Sequence, residues 1–213
     1  MVDKTDKIDE IIRLEWDMFQ AVNDGGPRAD CQDDRTTFGA MRRAQFEAWP
    51  ENIRLSYLDD IRTAKLFGRN LVNEKYIHMM KSTMPSAYEK LLSAITPPGL
   101  AAEQLAKDVS GKLLAQTAAL RSLYPYVFGE GRPLYATEDR QGVTSIETYE
   151  LGELLTYSEK TLALLNAYIE QREQAGGSLA RDIMANTVKY YGYDTLDSAE
   201  AVIKESIESN AGV

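Results

Sequence analysis

The sequence has little of the chemistry that builds disulfides and metal sites, because its 213 residues include one cysteine, Cys31, and one histidine, His78. A lone cysteine excludes an internal disulfide framework and is typical of a reducing cytosol. No apolar run approaches the roughly 18 residues that a membrane span requires. The N-terminal segment MVDKTDKIDE also lacks the apolar stretch of a secretory signal. The sequence therefore predicts a cytoplasmic protein without a membrane partner.

Basic residues are in deficit as well. The chain has 24 lysines and arginines against 33 aspartates and glutamates, which gives a net charge of -9. A field of this sign repels the phosphates of nucleic acids and of anionic membranes. The charge balance thus argues against a nucleic-acid partner, while a local basic pocket stays compatible with it.

Strand-like alternation is nearly absent, and apolar residues recur with helical spacing. Turn-forming residues interrupt the pattern at 23–34, at Pro50 and at TPPG (96–99). We predict an all-α, single-domain antiparallel helical bundle over residues 1–213, with an ordered core at about 8–208. An irregular stretch near 128–143 is expected to hold a short strand pair or a lid. About eight helices are predicted, at about 5–23, 36–49, 51–82, 86–95, 99–128, 145–174, 178–191 and 197–208.

Polar side chains interrupt the apolar faces of the first two predicted helices. Glu15 lies in the middle of a stripe that contains Ile11 and Phe19. An uncompensated buried carboxylate costs several kcal/mol, so Glu15 should have a cationic or hydrogen-bonding partner. In the second helix, Arg42 and Gln45 share a face with apolar residues. Both helices are therefore expected to aim polar groups inward.

The third predicted helix, 51–82, repeats this pattern. Arg62, Lys65 and Arg69 fall on the same stripe as its apolar residues, and Tyr76 follows on that side. The second half of the chain differs, because the predicted helix at 145–174 is apolar on two sides and should be buried between neighbours. Glu150 and Glu153 are the exceptions on one of those two sides. We expect the scaffold in the second half of the chain and the chemistry in the first.

Two interpretations of the inward charges remain. One is a structural ion-pair network in which Glu15 pairs with Arg42 or Arg69. The other is an anion-binding pocket, in which arginine side chains hold a phosphate or carboxylate bidentately. In this hypothesis Glu15 orients the basic groups or serves as the catalytic acid or base. The ligand-binding residues would be Arg42, Gln45, Arg62, Lys65, Arg69 and Tyr76, with Arg28 of the glycine-containing loop at the rim.

Metal and thiol chemistry find little support in the sequence. Glu74 and His78 share a helical face, opposite Arg69 on the helical wheel, but a di-metal site needs Glu-x-x-His pairs and a second histidine. Cys31 near Arg28 would favour a thiolate, yet nothing in the sequence places His78 beside it. We therefore predict no metal site, and the sequence identifies no cofactor.

Three segments resemble an uncharacterised bacterial domain-of-unknown-function family. They are EWDMFQAVNDGGPRADCQDDRTTFGAMRRAQFEAW, SYLDD and GRNLVNEKYIHMM, and they match a Glu-Trp start, a GG-x-R-A-x-C-Q loop and a GRNL-x-x-EKY segment. The resemblance covers about residues 10–200 and implies no established activity. Some members of that family occur beside a nucleotidyltransferase-like domain, which favours a phosphorylated or nucleotide-like ligand.

The favoured function is the binding, and in one version the turnover, of a small anionic metabolite in a pocket formed by the first three helices. The competing class is a non-enzymatic protein-interaction or oligomerisation module whose inward charges are structural. In that class an acidic, aromatic surface near Tyr190, Tyr191 and Tyr193 would meet a protein partner or a second copy of the chain.

Overall fold

The structure is a computed structural model that describes residues 4–22, 32–129 and 131–211. These residues form eleven α-helices and no strand, so the predicted all-α fold is confirmed. Two single 3-10 turns, at Leu92–Ala94 and Ala136–Glu138, complete the regular structure. The helices are α1 (Lys4–Gln20), α2 (Arg35–Ala48), α3 (Glu51–Leu66), α4 (Leu71–Thr83), α5 (Pro85–Leu91), α6 (Leu100–Leu123), α7 (Pro125–Phe128), α8 (Ile146–Leu154), α9 (Glu159–Gln174), α10 (Leu179–Tyr190) and α11 (Leu196–Ala211).

The predicted helix at 51–82 is in fact two helices, α3 and α4. Gly68 between them has a φ of 68°, a conformation that glycine adopts at little cost. Asn70 then caps α4 by accepting a hydrogen bond from the backbone N–H of Asn73, at 2.9 Å. The break resets the helical register, so residues of α4 do not continue the wheel of α3.

The predicted helix at 145–174 is likewise divided, into α8 and α9. Ser158 caps α9 by accepting from the backbone N–H of Thr161 at 3.2 Å. α8 packs between α4 and α6, whereas α9 packs between α3 and α6. The expectation of a segment buried on two sides therefore holds for two consecutive helices instead of one.

One apolar cluster joins residues from both halves of the chain, from Ile8 of α1 to Leu179 of α10. Burial of each large side chain in it stabilises the fold by about 1.5–3 kcal/mol. A smaller cluster around Tyr124 and Leu196 packs α11 onto the ends of α6 and α10. The assignment of residues 1–213 to a single domain stays a prediction, although the larger cluster spans most of the chain.

The irregular stretch near 128–143 contains no strand pair in its described part. An isolated antiparallel bridge joins Arg140 to Val143. The segment is fixed to α8, because Asp139 accepts from the backbone N–H of Ser145 at 2.6 Å and Glu147 accepts from Ala136 N–H at 2.7 Å. Across the described ranges, no helix combines the length with the apolar composition that a bilayer crossing requires.

Candidate functional site

Arg42 is the centre of a buried ionic cluster. Its guanidinium donates to both carboxylate oxygens of Glu15, at 2.7 and 2.5 Å, and so forms the bidentate pair that suits arginine. Its third nitrogen donates to Glu153 Oε1 and to Gln45 Oε1, both at 2.9 Å. The pairing of Glu15 with Arg42, one of the two pairings predicted for Glu15, is confirmed. Glu153 of α8 is the second carboxylate that Arg42 contacts.

Lys75 supplies the second cation of this cluster from α4. Its Nζ lies 2.7 Å from Glu153 Oε2 and 3.5 Å from the centroid of the Tyr149 ring. The ammonium is therefore held by a charge pair and by a cation–π contact, both away from bulk water. Helices α1, α2, α4 and α8 each contribute one charge, and the two cations balance the two carboxylates.

Two buried tyrosines each donate a hydrogen bond to one of the two carboxylates. The hydroxyl of Tyr57 donates to Glu15 Oε1 at 2.6 Å, and that of Tyr157 donates to Glu153 Oε1 at 2.6 Å. Burial and the neighbouring carboxylates raise the pKa of both phenols well above the usual range, so they stay protonated. We call this set of Glu15, Arg42, Gln45, Tyr57, Lys75, Glu153 and Tyr157 the ionic cluster.

The pKa shifts agree with a cluster that stays ionised. Burial alone would raise the pKa of Glu153, but the charges of Arg42 and Lys75 outweigh burial and hold this pKa well below its usual range. Burial would likewise lower the pKa of Lys75, yet Glu153 raises it. Glu153 and Lys75 therefore both stay charged at neutral pH.

A cavity of about 290 Å³ lies against this cluster, and we call it the first cavity. Part of its wall is aromatic: the ring of Phe19 stacks on Phe38 at 5.4 Å and on Tyr76 at 6.3 Å between centroids. Arg132, which precedes α8, lines the cavity with its guanidinium 4.9 Å from the Tyr149 ring centroid. The lining is formed by Glu15, Phe19, Asp34, Thr37, Phe38, Met41, Arg42, Tyr57, Leu71, Val72, Lys75, Tyr76, Arg132, Tyr149, Glu153 and Thr156.

The structure brings together four of the residues predicted for a site. Glu15, Arg42 and Gln45 belong to the ionic cluster, and Tyr76 lines the first cavity. Arg28 lies outside the described residues, as does Cys31.

The inward placement of Arg62 and Lys65 is wrong. Arg62 pairs with Glu10 on the surface, with its side chain 49% exposed, and Lys65 is also exposed. The buried face of α3 runs instead through residues such as Ile61 and Ala64. The predicted stripe includes Leu55, which is 40% exposed, and leaves out Tyr57, which is 3% exposed, so it points toward the two cations instead of toward the core.

Arg69 does not join the ionic cluster either. Its guanidinium binds the carboxylate of Glu74 with two hydrogen bonds, at 2.9 and 2.6 Å. A continuous wheel places these residues on opposite sides. They meet because Arg69 precedes the first turn of α4, where the chain is not yet helical.

His78 is partly buried, and its Nε2 has no hydrogen-bond partner among the described residues. Burial lowers its pKa, so the imidazole is neutral at pH 7. No group of three or more potential metal ligands occurs within the described ranges.

Sequence reasoning missed Lys75, Tyr57, Tyr157 and Arg132. A local signal existed for Glu153, because it interrupts an apolar face of its helix. The four missed residues carry no such signal. The change of helical register after Gly68 hid the inward direction of Lys75. From sequence alone, the two tyrosines are indistinguishable from ordinary core residues, because the partners of their hydroxyls are not known.

Gly152 permits the close crossing of α8 and α4 that brings Glu153 to Lys75. A Cβ at this position would lie 3.0 Å from Met79 Cγ and 3.1 Å from the carbonyl oxygen of Lys75. We expect Gly152→Ala to lower the free energy of unfolding by about 1–3 kcal/mol, because the helices must separate. Chemical denaturation measures the change.

Gly111 in α6 provides the matched control for Gly152. No atom lies within 4 Å of a Cβ built there, and its backbone is helical. Gly111→Ala should therefore stabilise the protein by about 0.5–1 kcal/mol through helix propensity. Equal effects of the two substitutions would contradict the close-crossing account.

The fold and the site define an all-α protein with a buried, charge-balanced ionic cluster beside an aromatic cavity. The chain belongs to the family described as "Protein of unknown function (DUF4125)", whose model matches residues 5–201. The predicted membership in an uncharacterised domain family is thereby confirmed. No curated protein and no solved structure matches the chain.

Proposed function

We propose that the protein binds a small organic anion in the first cavity. The observation that carries this proposal is the state of Arg132. Arg42 and Lys75 are both paired with carboxylates, whereas Arg132 has no carboxylate within ion-pair distance among the described residues. Its guanidinium donates to the carbonyl oxygen of Thr144, which leaves further donors for a ligand.

The rest of the lining indicates the body of the ligand. The rings of Phe19, Phe38 and Tyr76 line the cavity, and an aromatic ligand would gain edge or face contacts with them. A carboxylate or phosphate on such a ring would then meet the guanidinium of Arg132. The proposed ligand class is an aromatic or heterocyclic body that bears one anionic group.

The ionic cluster has a supporting role in this proposal. Both oxygens of Glu15 already accept hydrogen bonds from Arg42, and one of them also accepts from Tyr57. Both oxygens of this carboxylate are thus engaged by protein donors and are not offered to a ligand. We therefore propose binding and assign the predicted residues Glu15, Arg42 and Gln45 to shaping the cavity floor.

A ligand screen tests the proposal. Aromatic carboxylates and nucleoside monophosphates are screened by thermal shift, and hits are measured by calorimetry against the wild type, Arg132→Gln and Arg140→Gln. Loss of one charge-assisted contact should weaken a true hit about tenfold to a hundredfold in Arg132→Gln. Arg132 and Arg140 are both exposed arginines of this segment, but Arg140 does not line the first cavity, so Arg140→Gln should bind as the wild type does.

Two outcomes would overturn this function. A hit that survives Arg132→Gln unchanged does not use the proposed contact. Failure of the whole panel, together with self-association in analytical ultracentrifugation, would favour the interaction module. One observation suits that alternative: Leu66 and Phe67, adjacent at the end of α3, are 80% and 73% exposed.

A further inference from the structure

A second cavity, of about 310 Å³, lies among α2, α6, α8, α9 and α10. Met41, Arg42, Arg132, Tyr149 and Glu153 line both cavities and so form the wall between them. The remaining surface of the second cavity is mostly aliphatic. It is contributed by residues that include Leu113, Leu120, Leu165, Leu179, Ile183 and Met184.

Glu150 is the carboxyl group of this cavity that lies outside the ionic cluster. Its Oε1 is buried and has no hydrogen-bond partner within the described part of the chain. Ser110 on α6 lies near the same carboxyl group and partly offsets the effect of burial on its pKa. A buried oxygen without a partner is costly, and native structures seldom leave one without a reason. Here the oxygen belongs to a residue that lines an apolar cavity.

We propose that the second cavity binds a small lipophilic amine, whose ammonium group pairs with Glu150 and whose apolar body contacts the aliphatic walls. The other carboxylate of the lining, Glu153, already has four partners, which are Arg42, Gln45, Lys75 and Tyr157. Glu150 is therefore the carboxyl group of this cavity that lacks a cation among the described residues. This site is separate from that of the proposed anion, and its test does not depend on the first cavity.

Binding of an ammonium ion must displace a proton. Burial, followed by the charges of Glu153 and Glu147, raises the pKa of Glu150 to about 8, so the empty cavity holds a neutral carboxyl group at pH 7. When the ammonium ion arrives, the O–H bond of Glu150 breaks, the proton leaves to solvent and the carboxylate pairs with the cation. Charge in the cavity is unchanged by the exchange.

Few other titratable groups face this carboxyl. Its own helix carries Glu147 and Glu153, while α2 contributes Arg42 and the segment before α8 contributes Arg132. From α4, Lys75 is paired with Glu153, and the pKa of His78 is lowered by burial. The cavity residues from α6, α9 and α10 are not titratable, and Tyr157 is a phenol whose pKa is raised. Between pH 6 and 9, Glu150 is the group expected to change protonation.

Calorimetry with 2-phenylethylamine and with the uncharged 2-phenylethanol tests the proposal. An aliphatic amine stays protonated below about pH 10. With a carboxyl pKa of about 8, its affinity should rise about 90-fold from pH 6 to pH 9. At pH 7, the dependence of the heat on buffer should show release of close to one proton. The alcohol should bind at least tenfold more weakly than the amine at pH 8, with no pH dependence.

Variants assign the effect to one side chain. Glu150→Gln keeps the shape of the neutral carboxyl and should remove both the pH dependence and the preference for the amine. Glu147→Gln lies on the same helix but does not line the cavity, and it should retain binding. On the wild type alone, infrared spectroscopy should show loss of a protonated-carboxyl band when the amine binds. Equal binding of amine and alcohol, undiminished amine binding by Glu150→Gln, or no binding of either probe would overturn the proposal.

Discussion

Replacement of Arg42 by methionine is expected to lower the free energy of unfolding by about 3–5 kcal/mol. The guanidinium is the one cation on Glu15 within the described residues, and the Glu15 side chain is 2% exposed. Methionine fills a similar volume but leaves that carboxylate buried with the hydroxyl of Tyr57 as its remaining polar partner. The cost arises from the uncompensated charge, since Glu153 keeps Lys75.

A double variant separates charge from packing. Arg42→Met combined with Glu15→Gln removes one charge of each sign and leaves Lys75 paired with Glu153. Replacement of a buried pair by neutral groups is often near neutral in stability, so most of the lost stability should return. The single Glu15→Gln variant completes the double-mutant cycle. The free energy of unfolding of all four proteins is measured by guanidinium denaturation, and the comparison requires that the m-value be the same in each.

Arg62→Met is the matched surface control. Arg62 pairs with Glu10 through an equally short contact, but its side chain is 49% exposed. Solvent screens such a pair, so its loss should cost about 1 kcal/mol or less. If Arg42→Met were no more costly than Arg62→Met, the ionic cluster would not contribute to stability in the way described.

Helical periodicity identified part of the site because part of the site lies on unbroken helices. Glu15 stands in the middle of α1, and Arg42 and Gln45 stand on α2. On these two helices the polar residues within the apolar stripe do point inward, as the wheel indicates. The expectation that Glu15 requires a partner follows from the cost of burying a charge and does not depend on the fold.

The same method failed where the chain leaves the helix. Gly68 and Asn70 end one helix and cap the next, and the wheel drawn through them misplaced Arg69. Arg62 and Lys65 lie within α3, and they were misplaced because the stripe there included the exposed Leu55 and left out the buried Tyr57. Glycine with a positive φ followed by a capping asparagine is a local signal that could have located this break.

Helical periodicity could not predict the contacts of the site that join distant segments of the chain. Arg42 meets Glu153 across 111 positions of sequence, and Arg132 reaches the first cavity from an irregular segment. Side-chain spacing reports which residues share a face of one helix. It carries no information on which two faces meet, so the pairing of Glu153 with Arg42 required the packed structure.

The stability of the protein is expected to carry a pH dependence that originates at Glu150. The folded chain keeps this carboxyl protonated up to about pH 8, whereas its ordinary pKa is 4.5. Between these two values the folded state binds more protons than the unfolded state, so raising the pH favours unfolding. The wild type should lose on the order of 3 kcal/mol through this group between pH 5 and pH 8.

Other carboxyls titrate as well, so the measured quantity is the difference between Glu150→Gln and the wild type. Glutamine cannot ionise, and the stability advantage of the variant should grow from pH 5 to pH 8 and level off above that. Guanidinium denaturation at unit intervals of pH from 5 to 9 gives the curve. The change in this stability difference falls at a higher pH than ordinary carboxyl groups titrate, so it can be distinguished from acid denaturation.

Glu170→Gln serves as the control for this experiment. The hydrogen bond and charge of Lys112 lower the pKa of Glu170, so its contribution is lost only as the pH falls below the ordinary value. The stability difference between Glu170→Gln and the wild type should therefore be flat from pH 5 to 9. A flat curve for Glu150→Gln as well would mean that the Glu150 carboxyl is ionised in the folded protein, with a cation or solvent beside its Oε1. In that case the second cavity would already be polar, and binding of an amine would release no proton.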